Sequence, residues 1–292
     1  MIKALKNTYQ RGVFLLVLSA LLLSTSGVVL REIQSAGGWE ILFYRSLAFS
    51  LTVATYLFLR QGKRSLTSIL QFRWSELLIV VFLGTGFVAY VFALLYTTVA
   101  NALFAISAAP LLMAVLGWFI LKEKVPWVTW IAIVAGVVGL CIMVGGEVAR
   151  GRLFGNLIAL WIPISYAATI ILIRRFRDID MLPALLMAGL LALIISALFS
   201  NELILSWHDF LLSIYLGIFQ VGLGFIFMFA GARYVPAAQV GLIGLTEVIC
   251  APLWVWLTIA EIPSSSTLIG GGVIFIAIAS NGVFNLLKAP RH

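Results

Sequence analysis

Along this chain, long apolar runs alternate with short polar breaks. Ten runs hold the roughly 20 mostly apolar residues that a helix needs to cross a hydrocarbon core. They cover 12–31, 38–60, 76–97, 100–121, 126–146, 153–173, 182–200, 209–231, 236–258 and 267–288. Pro, Gly and charged residues gather in the breaks between them. The longest break, QGKRSLTSILQFRW at 61–74, is expected to lie on the membrane surface. Lys3, Lys6 and Arg11 ahead of an apolar run resemble the opening of a signal peptide. That run is too long for one, however, and no clear small-x-small cleavage site follows, so it is read as the first span. The pattern predicts an all-α membrane protein with ten transmembrane helices.

Composition agrees and removes alternatives. Of the 292 residues, 63% are hydrophobic and 10% charged, whereas a soluble domain has roughly a quarter of its residues charged. The net charge of +8 would suggest nucleic acid if the basic residues were clustered on one soluble face. Instead they follow the topology. Fifteen of the 19 Lys and Arg fall on the side of the N-terminus, the even-to-odd loops and the C-terminus. Arg31, Arg150 and Arg152 fall on the other side, and Arg45 lies inside a span. Basic loops stay in the cytoplasm. Both termini are therefore expected inside, in a bacterial inner membrane, with the excess charge meeting anionic lipid heads rather than nucleic acid. Cys141 and Cys250 sit in apolar runs as small hydrophobes. No CxxC or His/Cys cluster suggests a metal, and no GxxxxGK[ST] suggests an ATP site, so no cofactor is expected.

A shift of 138 residues aligns two stretches without a gap. GTGF at 84–87 falls on GLGF at 222–225, Tyr96 on Tyr234, Ala100 on Ala238, Trp118 on Trp256 and Glu123 on Glu261. Asn101 falls on Gln239, an amide on an amide. A repeat of five spans enters the membrane from the opposite side in its second copy. The expected organisation is two inverted five-helix repeats, 1–148 and 149–292, with a polar route between them, a design common in secondary transporters.

With these residues in view, the chain resembles the EamA-type branch of the drug/metabolite transporter superfamily. LYTTVANALFAISAAPLLMAVLGWFILKEKV at 95–125 is similar to the family's fourth-helix signature, and ARYVPAAQVGLIGLTEVICAPLWVWLTIAEIP at 232–263 is its counterpart. Arg45 in FYRSLAF matches an arginine often found in the family's second helix. Pro252 is displaced from the place Pro110 would give it, and Glu247 stands at a usually apolar position. The resemblance implies ten helices, no ATPase, and movement of small metabolites.

The candidate site residues are the polar and aromatic groups at membrane depth. Arg45 lies seven residues in from Gly38, roughly 10 Å. It could reach the head groups, pair within the bundle with Glu40 or Glu32, or meet a substrate anion. Glu247 lies eleven residues past Pro236, roughly 16 Å deep and near the midplane. It is the candidate for a cation site or for proton coupling, against a protonated, hydrogen-bonded structural Glu. Asn101, Gln239 and Gln220 are candidate contacts or plain interhelical glue. Tyr90, Trp161, Tyr166 and Trp254 are candidate cavity aromatics, with packing as the competing role. Pro110, Pro163 and Pro252 should bend or break their helices. Gly84, Gly86, Gly222 and Gly224 should allow flexibility or close contact. Glu123 and Glu261 are read as structural helix-end residues.

The expected function is a secondary transporter, exporting small polar metabolites such as amino acids by alternating access, with H+ as a candidate coupling ion. Its partners are the lipid bilayer and a small-molecule substrate. Uptake or exchange of organic cations at a carboxylate and aromatic site is the alternative. A lipid-modifying membrane enzyme is a distant third, because the spans lack clustered acids or paired His and Asp. The chain is not expected to be an enzyme.

Overall fold

The computed structural model describes residues 2–62, 74–148, 153–176, 181–235, 237–260 and 262–288. The surface linker expected at 61–74 and Glu261 fall largely or wholly outside them, as does the Gln239 side chain. Ten helical spans follow one another. The odd ones are Ile2–Glu32 (one), Trp74–Tyr96 (three), Trp127–Val148 (five), Met181–Phe199 (seven) and Ala237–Ile259 (nine). The even ones are Gly38–Gln61 (two), Val99–Leu121 (four), Leu153–Arg175 (six), Trp207–Ala232 (eight) and Ser265–Lys288 (ten). Nine of them are long and apolar enough to cross a membrane over their described residues. The ninth span shows a shorter apolar stretch, Ile243–Ile259. With ten crossings, both chain ends lie at one face, here the terminal face. The other is the far face.

Three spans are interrupted, which hydropathy alone does not reveal. Span one breaks at Thr25 into Ile2–Ser24 and Ser26–Glu32. Span four breaks at Ala108, one residue before the piece Ala109–Leu121 that carries Pro110 in its first turn. A proline there removes an N–H that the first turn would leave unpaired anyway. Span eight is wound as a π-helix over Leu216–Leu223. By contrast, the helix runs on through Pro163 and Pro252. Transmembrane helices tolerate proline where neighbouring helices support the freed carbonyl.

The packing is symmetric about an exchange of the two halves. Span one packs on spans eight and nine; span six packs on spans three and four. Exchanging the halves converts the first set into the second. Spans two and seven, four and nine, and five and ten pack as pairs that the exchange maps onto themselves. Such interfaces are what two inverted five-helix repeats produce. Two bundles result, one of spans one, eight and nine and the other of spans three, four and six. Spans five and ten cross closely at Gly139 and Gly270, where a Cβ on Gly139 would lie 2.6 Å from the Gly270 carbonyl oxygen. Thr129 Oγ1 donates to Asn281 Oδ1 (2.7 Å) across the same pair. Their outer faces carry exposed Val134, Val137 and Ile276, as lipid-facing helices must.

At the far face the loop between spans one and two is pinned by Asp209, in the first turn of span eight. Its buried carboxylate accepts the backbone N–H groups of Gln34, Ser35 and Ala36 and the Ser35 hydroxyl, at 2.6–3.1 Å. At the terminal face, Lys122 adopts a left-handed conformation (φ 56°) and ends span four. The Glu123 backbone N–H then donates to the Gly117 carbonyl (3.2 Å), in keeping with a helix-end position.

Candidate functional site

A cavity of about 270 Å³ lies between the two bundles. Spans one, eight and nine form one wall and spans three, four and six the other. Span two contributes Arg45 alone. The lining runs from Leu103 to Met113 in span four, from Gln220 to Met228 in span eight, and from Val240 to Val248 in span nine. The cavity therefore occupies the middle depth and the side toward the terminal face. Its walls are mostly apolar, with Leu83, Phe87, Ile106, Ile162 and Phe225 among the lining residues. Phe87 meets Phe225 edge to face, with centroids 5.9 Å apart.

Two ionisable groups of opposite type, Arg45 and Glu247, line this apolar space. Arg45 is 3% exposed, turned into the bundle rather than up to the head groups. Glu40, one possible partner, is engaged elsewhere, its Oε1 accepting from the Ser200 hydroxyl (2.9 Å). The Arg45 guanidinium carbon sits 5.6 Å from the Tyr90 ring centre and 5.9 Å from that of Phe87, distances at which a cation is attracted to the ring face. Glu247 is half-buried on the opposing wall, within electrostatic reach of Tyr90 and Tyr166. Among the described residues, neither Arg45 nor Glu247 has a hydrogen-bond or ion-pair partner. An ionised group in a low-dielectric interior is costly unless paired. Here an arginine and a carboxyl group share a cavity without meeting.

Gln220 adds a third polar group. Its Nε2 donates weakly to the Leu23 carbonyl (3.4 Å), while its buried Oε1 has no partner among the described residues. The π-helix places it. Gly217 brings span eight onto the backbone of span two, where a side chain would strike the Arg45 carbonyl, Ala48 and Phe49. The wider turn accommodates that approach and presents Gln220 to the cavity, a use of π-turns that recurs at functional sites. The lining serines Ser19, Ser107 and Ser165 spend their hydroxyl protons on the Gly224, Phe104 and Ile162 carbonyls.

The model of the EamA-like transporter family matches residues 10–145 and again 153–282, one copy in each half of the chain. The chain belongs to the EamA-like transporter family. Fifteen chains of solved structures match it. One, described only as the crystal structure of a protein, is 18% identical with a TM-score of 0.66. That match covers 95% of this chain and 99% of the other, and the likeness is one of fold. No curated protein sequence matches it.

In this EamA-like transporter the cavity gathers Arg45, Tyr90, Tyr166, Gln220, Glu247, Gly86 and Pro110 from the sequence candidates. The remaining candidates with described side chains lie elsewhere. Asn101 is buried at the far end of span four, hydrogen-bonded to Thr97 and Asn156. Trp161 is 38% exposed and donates to Thr85 Oγ1 (3.1 Å) on the outer surface. Five helical residues separate it from Tyr166, a rotation of roughly 140° net, so the two cannot share a face. Trp254 lies two turns beyond Glu247 toward the far face and donates to Ser24 Oγ (3.0 Å). Gly84 packs against Ala188 and Leu191, Gly222 against Thr52 and Gly224 against Leu23. Close approach rather than cavity lining explains these three. Sequence reasoning missed the lining role of Met113 and Met228. It also missed the π-helix, whose one visible signal is the cluster of Gly217, Gly222 and Gly224.

Proposed function

We propose that this chain is a secondary carrier for zwitterionic metabolites with an apolar body, amino acids and related compounds, working by alternating access. The observation behind this reading is that Arg45 and Glu247 face one apolar cavity unpaired. A substrate carboxylate at Arg45 and a substrate ammonium at Glu247 would complete both charges at once. A purely cationic substrate would leave Arg45 uncompensated, so the zwitterion is favoured over the organic-cation reading. The repeats are assigned to 1–148 and 149–292. The two walls, built from both repeats, are the bodies that move against each other, and spans two and seven and five and ten form the pairs about which they do so. The distribution of basic residues favours termini in the cytoplasm of a bacterial inner membrane, and export is the direction assigned. When no substrate is bound, a proton on Glu247 removes its charge, which makes it the coupling group.

Counterflow of radiolabelled L-leucine in proteoliposomes tests this reading. Saturable exchange is expected, with Arg45→Ala and Glu247→Gln each reducing it at least tenfold. A pH gradient should drive accumulation in the native chain and not in Glu247→Gln. Absence of saturable exchange of leucine or other apolar amino acids, or full exchange in both variants, would overturn it.

A further inference from the structure

Beyond the break at Thr25, residues Ser26–Glu32 form a short helix that packs mainly on span nine of its own bundle and reaches across to spans three and four of the opposing one. Three of its contacts cross to the opposing bundle. The hydroxyls of Ser26 and of Tyr90 in span three lie 2.6 Å apart. Gly27 is pressed onto Val99 at the start of span four, where a Cβ would come within 2.5 Å of Val99 Cγ1. Arg31 Nη2 donates to the Thr97 carbonyl (2.8 Å), just past the end of span three. None of Ser26, Gly27 and Arg31 lines the cavity. They stand between it and the far face, at the end where the two bundles meet.

The break is a supported joint. The Thr25 hydroxyl donates back to the Leu22 carbonyl (2.7 Å), and Tyr215 Oη approaches Thr25 Oγ1 at 3.4 Å. Tyr90 belongs to both places. Its hydroxyl meets Ser26 at the short helix, and its ring lines the cavity beside the Arg45 guanidinium. A cation bound to a ring face is drawn away when an anion arrives to pair with it, because the ion pair is the stronger attraction.

We propose that Ser26–Glu32 is the far-face gate of the carrier, carried on span nine and parting from spans three and four, and that Tyr90 is the positioning residue that couples its closure to Arg45. The inference rests on the carrier reading given above. The Ser26–Tyr90 and Arg31–Thr97 hydrogen bonds and the Gly27–Val99 contact are the ones that cross to the opposing bundle and must break and reform in each cycle. Substrate anion at Arg45 releases the Tyr90 ring, and with it the Ser26 hydroxyl.

The test uses the full chain carrying Cys141→Ser and Cys250→Ser, in liposomes of one orientation. Ser107→Cys, in the cavity wall, is the reporter. A membrane-impermeant methanethiosulfonate is added to one face at a time. Tyr90→Phe keeps the ring beside Arg45 and loses only the hydroxyl; Ser26→Ala loses only its partner. Each is expected to raise far-face labelling about fivefold, the effect of one net hydrogen bond, with the terminal-face rate unchanged or lower. The double variant is expected to match either single one, since both remove the same bond. Arg31→Gln raises far-face labelling independently. Unchanged far-face rates in all three single variants, or equal rises at both faces, would overturn the gate. A reporter that never reacts from the terminal face counts against the carrier reading itself.

Discussion

Arg45 and Glu247 are separable by ligand chemistry, because each should answer to one end of a zwitterion. Leucinol lacks the carboxylate, so its binding should be insensitive to Arg45→Ala yet lost in Glu247→Gln. 4-Methylpentanoate lacks the ammonium and should show the reverse pattern. Thermal shift of the purified protein with each compound reads this directly. Both ligands responding alike to both substitutions would separate the cavity charges from recognition. Asp209 makes a different point at the same scale. Three backbone N–H groups and a hydroxyl converge on its carboxylate. Hydrogen bonds to a charged group are the stronger kind. Asp209→Ala should therefore lower the melting midpoint by at least about 3 °C in a chain of this size, without changing cavity affinity at a fixed temperature.

Ten helices were readable in the sequence because crossing a hydrocarbon layer leaves one signal, about 20 apolar residues, that needs no tertiary information. The boundaries 38–60 and 153–173 differ by one or two residues from Gly38–Gln61 and Leu153–Arg175. What stayed hidden was set by neighbours. The joint at Thr25 depends on Leu22 and Tyr215, and the π-turn depends on Gly217 meeting span two. Tyr215 and span two both lie far outside any local window of sequence. In the same way the depth of Arg45 could be counted, but its facing could not. Trp161 and Tyr166 looked alike by depth, and only the helix phase parts them. The π-turn carries its own prediction. Gly217→Val should collide with the Arg45 carbonyl and Ala48, at about 1–3 kcal/mol for overpacking, and displace Gln220. Loss of leucine affinity should exceed that of Gln220→Ala, because Arg45 shifts as well. Equal losses would confine the effect to Gln220.

For the molecule as a whole, the two bundles and the flanking pairs predict different tolerance to tethering. Leu16→Cys on span one and Met113→Cys on span four line the cavity from opposing walls. Bridging them with a short bifunctional maleimide should stop exchange. Thr129→Cys and Asn281→Cys, placed where spans five and ten already hydrogen-bond, should be bridged with exchange intact. If both tethers stop flux, the flanking pair moves too, and the division into two bodies is wrong. The composition of the walls reaches further back than the present chain. Span one finds its partners in eight and nine, and span six in three and four. Either half made alone therefore lacks the neighbours that finish its bundle and exposes an unfinished flank to lipid. Two polypeptides covering the halves should be inert singly and regain exchange when co-expressed. A single-copy ancestor could have enclosed such a chamber only by inserting both ways up, so that dual orientation would have preceded fusion.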